Sequence, residues 1–288
     1  MKKYIVLFCI LFLFGAIFLL ENGGSGNGVQ ESLRYHKVKF FEEEYFSKGV
    51  NETDIASSEK IIGGVVPHHL LQGFIISDFF KRASFQNPKT IILIGPNHKE
   101  LGNCNVLTSE FGWDTSFGRL QPDEVIIKDL VKSGMACIDE NVLEDEHSVA
   151  GLMPYIKYYT SQAKVVPLII SSIISKDDVE KFSKILSSLN NSSTVFVASV
   201  DFSHYLKAPE ARKKDKETRV VLENFNYEKL YSLGNDHIDS PKSIGILFKI
   251  MQSLGKNKFE ILNNTNSGDL LKDNFIPTTS YFEIVFYR

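Results

Sequence analysis

The stretch Thr90-Ile91-Ile92-Leu93-Ile94-Gly95-Pro96-Asn97-His98 carries the pattern that decides the fold. An unbroken apolar run stops at glycine and proline, and a histidine follows almost at once. The same pattern occurs at Ile61–Val66, which precedes His68-His69, and at Thr194–Val200, which precedes Asp201 and His204. Near-continuous runs of Val and Ile that end at turn residues are typical of strands buried on both faces, as in parallel α/β sheets. The three runs therefore predict strands of one such sheet.

Segments with helical periodicity alternate with the predicted strands. A helix is expected from the residues after His69 to about Ala83, and Pro154 should shorten or kink one of the later helices. The other predicted helices cover residues 122–133, 147–160, 176–190, 208–224 and 241–254, and further strands cover 105–108, 164–170 and 281–287. Alternation of this kind implies crossover connections. We expect an α/β fold, a single domain over residues 61–288 with a mostly parallel sheet and helices on both faces.

The amino-terminal residues read as a targeting or anchoring segment. Lys2-Lys3 precede an apolar stretch from Tyr4 to Leu20, near the short limit of about 17–25 residues for a spanning helix. No small residues mark a cleavage site after it. We expect residues 1–20 to be a transmembrane signal-anchor, residues 21–60 a linker and polar arm, and the domain to lie outside the cytoplasm. Secretion after signal cleavage is the alternative.

Composition excludes some classes of function. The net charge of the 288 residues is -3, so no basic surface argues for a nucleic-acid partner. Of the three cysteines, Cys9 lies in the apolar segment. Cys104 and Cys137 lie in the domain, where we expect two separate small apolar side chains rather than a disulfide framework.

Histidines gather beside the predicted strands. Six of the seven do so, namely His68, His69, His98, His147, His204 and His237, whereas His36 lies in the arm. Ligands of open α/β sheets bind beyond the carboxyl ends of the strands, and imidazole is a ligand for Zn, Fe and Cu. We therefore expect His68 and His98 to bind a divalent metal ion. The third ligand could come from Glu146, Asp201 or the carboxylates of Asp236-His237-Ile238-Asp239.

Two histidines and one carboxylate suit two different chemistries. This ligand set is found in non-haem Fe(II) oxygenases, and with a bound water it also serves Zn hydrolases. Spacing alone does not choose between them.

Two short segments pair a carboxylate with an imidazole. They are Glu146-His147 and Asp201-Phe202-Ser203-His204. Such pairs orient and tune a histidine for acid/base catalysis, so all four titratable residues are catalytic candidates. The alternative for Glu146 is a helix cap with a surface ion pair. Trp113 could wall a pocket, although packing in the core is the commoner role of a lone tryptophan.

At these residues the chain resembles the Memo family, including AmmeMemoRadiSam system protein B. The matching blocks follow the family's order over roughly residues 61–288. They are Val66-Pro67-His68, Ile94-Gly95-Pro96-Asn97-His98, Trp113–Gly118, Glu146-His147-Ser148-Val149, Leu152–Tyr155, Ala198–Tyr205, Asn266–Asp269 and Thr279–Tyr281.

The resemblance implies a fold similar to class III extradiol dioxygenases, which hold Fe(II) with two histidines and one glutamate. The family's metal-site histidines correspond to His68 and His98. Its third ligand is a cysteine, and Asp239 lies nearest that position here. A carboxylate at this place favours Fe(II), with Cu or Zn as possible metals. Two further departures, His69-Leu70 and Ala150, imply different pocket contacts.

The expected function is metal-dependent oxidation of a small organic molecule. Asn97, Trp113 and Thr115 are expected to line the substrate pocket. A non-catalytic module that binds a peptide or protein in the same cleft is one alternative, and a Zn-dependent hydrolase is the other. The partners expected are a small-molecule or peptide ligand and, through the amino-terminal segment, a membrane.

Overall fold

The computed structural model describes residues 34–53, 55 and 59–288, and Arg34–Arg288 form one compact α/β unit. The strands are β1 (Tyr35–Lys37), β2 (Ile61–Val66), β3 (Thr90–Pro96), β4 (Val106–Thr108), β5 (Gly112–Thr115), β6 (Gly118–Pro122), β7 (Cys137–Ile138), β8 (Lys164–Ile170), β9 (Thr194–Ser199), β10 (Glu260–Asn266) and β11 (Ser280–Tyr287). The helices are α1 (Glu43–Glu52), α2 (Gly73–Ser84), α3 (Glu124–Lys132), α4 (Glu140–Glu144), α5 (His147–Ala150), α6 (Met153–Tyr159), α7 (Lys176–Ser188), α8 (Ala208–Glu223), α9 (Tyr227–Leu230), α10 (Pro241–Ser253) and α11 (Ser267–Leu271).

The strands form one sheet with the order β1-β5-β6-β8-β3-β9-β2-β11-β10, and β4 and β7 attach beside β8. Strands β6, β8, β3, β9 and β2 are parallel neighbours. Strand β11 is antiparallel to both β2 and β10, and β5 and β6 form an antiparallel hairpin. The sheet is therefore mixed, and the expected parallel arrangement holds at its centre.

Alternate residues of the central strands pack into two apolar layers. In β3, Ile92 and Ile94 contact the layer that includes α3, α7 and α10. Ile91 and Leu93 point the other way, into the layer with α2 and α6. All four side chains are fully buried, and each such burial contributes about 1.5–3 kcal/mol of hydrophobic free energy. Helices therefore cover both faces, as the continuous apolar runs predict.

The described part of the polar arm packs against the domain. Strand β1 pairs in parallel with β5, and α1 lies against α2. His36 is only 2% exposed, bonds to Glu140 and Ser109, and lies against the ring of Trp113 with 4.7 Å between centroids. Phe46 of α1 is buried while its acidic neighbours face solvent. The arm thus forms an edge strand and an amphipathic helix.

The membrane predictions are corrected. The anchor expected at Tyr4–Leu20 lies outside the described residues. Among the residues that are described, no helix combines the length and the apolar character that a membrane span requires. The longest of them, α8, has 16 residues and is rich in charge, whereas a span needs about 20 apolar residues. The transmembrane signal-anchor, the membrane attachment and the membrane-anchored location are therefore not supported.

The two domain cysteines form a disulfide, contrary to expectation. Cys104 and Cys137 are bonded, with 6.0 Å between their Cα atoms and a separation of 33 positions in sequence. Strand β7 pairs with β4, which places Cys137 opposite Leu107 and close to the turn that carries Cys104. Because this strand pairing joins segments that are distant in sequence, the spacing of the two cysteines did not reveal the disulfide.

Candidate metal centre

Three adjacent parallel strands deliver polar groups to one edge of the sheet. In the order β3, β9, β2, the strands are followed by His98, Asp201 and His68. Asp239 comes from the loop before α10. Its N–H donates to the Asp201 carbonyl at 3.1 Å, and a β-bridge joins the two residues next to them, Phe202 and Ile238. The carboxyl-end crevice predicted from the three apolar runs is therefore formed.

Asp239 lies between the two histidines expected to bind metal. Its Oδ2 is 3.3 Å from His68 Nε2 and 3.7 Å from His98 Nε2, and the two rings are 5.0 Å apart between centroids. Ligands held about 2.0–2.2 Å from one metal ion stand about 3–3.5 Å from each other. Asp239 Oδ2 is therefore within reach of both rings, and a cation shared by all three side chains would require the two histidines to close around it.

Two further residues belong to the same cluster. Donor atoms of His68, His98 and His147 lie within 4.8 Å of one another, and so do those of His68, Asp201 and Asp239. His68 is therefore common to both of the groups found among the described residues.

Glu146 orients His98. Its carboxylate accepts the backbone N–H of His98 at 2.9 Å and Nδ1–H at 2.8 Å, and this leaves Nε2 facing Asp239. Glu146 also accepts the N–H of Ser148, so it caps α5 at the same time. Burial lowers the pKa of His98, but hydrogen bonds to Asp239 and Glu146 outweigh it and raise the pKa to about 10. A carboxylate behind a ligating imidazole is a recurrent feature of metal sites.

Ser199 orients His68 in the same way. The Ser199 hydroxyl donates its hydrogen to the Ser148 carbonyl, so it can only accept from His68 Nδ1, 3.4 Å away. The Nδ1–H of His68 then points to Ser199, which leaves Nε2 facing Asp239. The side chain of Asp201 accepts the backbone N–H of His68 at 3.1 Å, which anchors the loop after β2.

Asp239 has the features of a cation ligand. Its side chain is 6% exposed, and its Oδ1 is buried without a hydrogen-bond partner. Burial raises the pKa of Asp239, but hydrogen bonds to His68 and His98 outweigh it, and the pKa lies below its usual value. An ionised carboxylate with a free buried oxygen, set among imidazoles, fits a metal ion.

His147 stacks on His98, with 4.3 Å between centroids and 24° between planes. Burial, together with repulsion from His68 and His98, lowers the pKa of His147 to about 4. It is therefore neutral at physiological pH. Gly95 allows this placement, because a Cβ there would lie 2.6 Å from Ser148 Oγ on the helix that begins at His147.

Two cavities meet at the cluster. The Lys242 cavity, about 390 Å³, is bounded by Asn97, Asp239, Tyr231 and Lys242 among others. The arm cavity, about 560 Å³, is bounded by Phe40, Leu70, His147 and Asp201 among others. His98, His204 and Tyr205 line both. The cluster therefore has ligand-sized space on two sides.

Two predicted site residues outside the histidine–aspartate cluster, His204 and Asn97, also line these cavities. His204 does so with its Nδ1 buried and without a hydrogen-bond partner. Asn97 lines the Lys242 cavity, but its amide is engaged by both the N–H and the carbonyl of Leu101.

The structure does not bring Trp113 and Thr115 to the cluster. Trp113 is fully buried in the core against His36, and neither residue lines the two cavities. Thr115 donates to the Gly118 carbonyl inside the β5–β6 hairpin. Both lie in the β5–β6 hairpin, which is part of the sheet, and not at the cavities, where a role in the substrate pocket was expected.

Ser199 and Lys242 were missed by sequence reasoning. The available signal for Ser199 was its position as a polar residue at the end of an apolar strand, two positions before Asp201. Lys242 follows the Ser240-Pro241 start of α10 and carried no signal of its own, since surface lysines are common.

Comparison with known proteins gives a consistent result. The sequence model of a family described as Memo-like protein matches residues 35–280. A MEMO1 family protein from Aquifex aeolicus is 28% identical over 231 residues, which cover 77% of this chain and 84% of that protein. Another from Desulfurococcus amylolyticus is 30% identical over 254 residues, covering 83% and 87%.

A structural comparison agrees at the level of the fold. The crystal structure of an uncharacterized protein from Escherichia coli K12 matches with a TM-score of 0.54 and 13% sequence identity. The match covers 77% of this chain and 99% of that one.

Proposed function

Because the chain belongs to the Memo-like protein family, we propose that it is a metal-dependent oxidoreductase that acts on a small organic molecule. The observation that carries the proposal is the position of Asp239 between the two Nε2 atoms of His68 and His98. Those two imidazoles and one carboxylate would hold the metal. Fe(II) is the favoured metal for this donor set, with Cu and Zn as alternatives.

A bound Fe(II) would supply one-electron redox chemistry for an organic substrate and dioxygen. The protein's own groups hold the ligands in place. Glu146 keeps the Nδ1–H of His98 occupied, and Ser199 does the same for His68, so each ring presents Nε2. Asp201 fixes the backbone that carries His68.

His147 and His204 are the proposed proton-handling groups. His147 is neutral at physiological pH, is 45% exposed and borders the arm cavity, so it can accept a proton from a substrate hydroxyl there. His204 borders both cavities and has an unengaged Nδ1. It can donate or accept a proton on the other side of the substrate.

Metal content of the purified protein tests the proposal. We expect about one iron per chain after anaerobic loading with Fe(II), and loss of that iron in a His68→Ala/His98→Ala double variant. The control is His69→Asn, since the imidazole of His69 bonds to Tyr281 and is not part of the ligand cluster. A double variant that kept stoichiometric metal would refute the proposed centre.

Oxygen consumption separates oxidation from hydrolysis. The iron-loaded protein should consume O2 in the presence of its substrate, and candidate substrates are small phenols and aromatic acids. Turnover of esters or amides by the zinc-loaded protein without O2 would instead support the Zn hydrolase.

One observation favours the binding module as a second candidate function. The arm cavity is lined by Phe40, Tyr45 and Leu71 as well as by residues of the cluster, and these apolar and aromatic side chains suit contacts with a peptide. A protein that takes up no Fe(II), Cu(I) or Zn(II) but binds peptides, with loss of binding on Phe40→Ala, would decide for this function.

A further inference from the structure

Lys242 is a cation without a counter-ion in a cavity beside the proposed metal centre. Its Nζ lies 4.6 Å from the centre of the Tyr231 ring, and the residue is partly buried. In the described part of the chain, no carboxylate lies within 4.0 Å of it, and it makes no other hydrogen bond or ion pair. Burial and repulsion from Lys176 place the pKa of Lys242 below its ordinary value.

Lys249, on the same helix α10, shows the contrast. Its Nζ lies 4.2 Å from the centre of the Tyr227 ring, and it also pairs with Glu180 at 2.5 Å. Lys249 does not line the Lys242 cavity. The two lysines thus share a helix and an aromatic contact, but only Lys249 is neutralised by the protein.

The two carboxylates that line the Lys242 cavity, Glu100 and Asp239, interact with groups other than Lys242. Glu100 accepts the Ser172 N–H at 2.8 Å and the Ser171 hydroxyl at 2.5 Å. Asp239 faces His68 and His98. Lys242 therefore stands as the cation that a ligand would have to neutralise. The positive end of α10, which begins at Pro241, adds to the same potential.

Aromatic walls define the rest of the cavity. Tyr231 supports Lys242 from one side, and Tyr205 stands at the mouth with 79% of its surface exposed. Tyr205 adopts a φ of 62°, a left-handed conformation that costs a non-glycine residue about 1 kcal/mol or more. Such strain is concentrated at ligand sites. A volume of about 390 Å³ suits a single aromatic ring with its substituents.

We propose that the Lys242 cavity binds the carboxylate of an aromatic acid, with Lys242 as its counter-ion and Tyr205 and Tyr231 as its walls. Asp239 and His98 belong both to the cavity and to the proposed metal centre, so a ligand anchored on Lys242 places its other end at that centre. The inference that the bound acid is a substrate rests on the proposed function. The inference that Lys242 binds a carboxylate is independent of it.

Titration calorimetry with matched acids and amides tests the proposal. The probes are benzoate, 4-hydroxybenzoate and phenylacetate, each beside its uncharged amide, added to the full chain with and without Zn(II). We expect at least one acid to bind about tenfold or more tightly than its amide. Lys242→Met should abolish this preference, Lys242→Arg should retain it, and Lys249→Met should leave it unchanged.

Three results would overturn the proposal: equal affinity for acids and amides, no binding of any acid, or a preference that survives Lys242→Met. Thermal unfolding of Lys242→Met verifies that the variant is folded. Its metal content, measured separately, distinguishes the two proposals. A Lys242-dependent preference in a protein that binds no metal would refute the metal centre and leave the carboxylate site standing.

Discussion

Glu146 binds His98 twice, accepting its backbone N–H at 2.9 Å and its Nδ1–H at 2.8 Å. One carboxylate therefore fixes both the position of the residue and the rotation of its ring. The same carboxylate caps α5, the helix that begins with His147. Two imidazoles of the cluster thus depend on a single buried side chain.

Replacing this carboxylate should weaken metal binding. Glu146→Gln keeps an acceptor for the helix cap but removes the charge behind His98, so we expect metal affinity to fall about 10–100-fold. Competition with a coloured chelator measures the change. The matched control is Glu144→Gln, whose carboxylate pairs with Lys39 and His36 away from the cluster. Equal affinity of Glu146→Gln and the wild type would contradict the orienting role.

Metal binding should release protons. The pKa of His98 is raised to about 10 in the metal-free protein, so the ring is protonated at pH 7–8 and must lose a proton before Nε2 can bind a metal ion. Affinity should rise with pH up to about 10 and then level off. Calorimetry in two buffers of different ionisation enthalpy counts the protons. A heat of binding that is the same in both buffers would argue against this prediction.

A buried glutamate should make the fold less stable as pH rises. Glu283 of β11 is fully buried, Asn263 donates to its Oε2, and its Oε1 has no hydrogen-bond partner. Burial and the nearby Asp78 raise the pKa of Glu283 well above its ordinary value. The native state keeps a proton that the unfolded chain loses, so stability falls as pH rises from the ordinary pKa through the raised one.

Glu283→Gln should remove this dependence and stabilise the protein at pH 8 by roughly 1–3 kcal/mol. Urea unfolding at pH 5 and pH 8 measures the free energy of unfolding of both proteins. Glu260→Gln, on the partly exposed neighbouring strand β10, serves as the control. The interpretation fails if the wild type and Glu283→Gln lose the same free energy of unfolding between pH 5 and pH 8.

The disulfide should contribute substantially to stability. It links residues 33 apart in sequence, and closure of a loop of that size is worth roughly 3–4 kcal/mol in the chain-entropy account. A Cys104→Ser/Cys137→Ser variant should unfold at lower urea concentration. Reductant should destabilise the wild type to the same extent and leave the variant unaffected. A wild type insensitive to full reduction would show that the cross-link carries little of the stability.

Local patterns were enough to predict the centre of the fold. The apolar runs of β2, β3 and β9 end where buried strands must end, and the histidines after them lie together for that reason. Strand β10 was not predicted, because Glu260–Asn266 is mostly polar and becomes a strand only by pairing with β11. The disulfide was missed for the same cause, since it depends on the pairing of β4 with β7, which lie far apart in sequence. The β5–β6 hairpin pairs locally and was missed because Gly112–Pro122 contains no continuous apolar run.

The sequence predicted the position of those site residues that directly follow a buried strand. It did not predict which neighbouring side chains orient them. His68, His98 and Asp239 lie together in the structure, while their metal-binding role stays a prediction. Ser199 acts on His68 through a hydrogen bond that no sequence spacing encodes. Trp113 packs against His36 in the core, and no local pattern in the sequence indicates that His36 is buried there.

The contact between His36 and Trp113 has a practical consequence for anyone shortening the protein. A fragment cut at the start of β2 would strip an edge strand from the sheet and uncover an indole that is now fully buried. It would also leave Glu140 and Glu144 without their imidazole. An expression fragment should therefore retain Tyr35, even though the first long apolar strand begins 26 positions later, at Ile61.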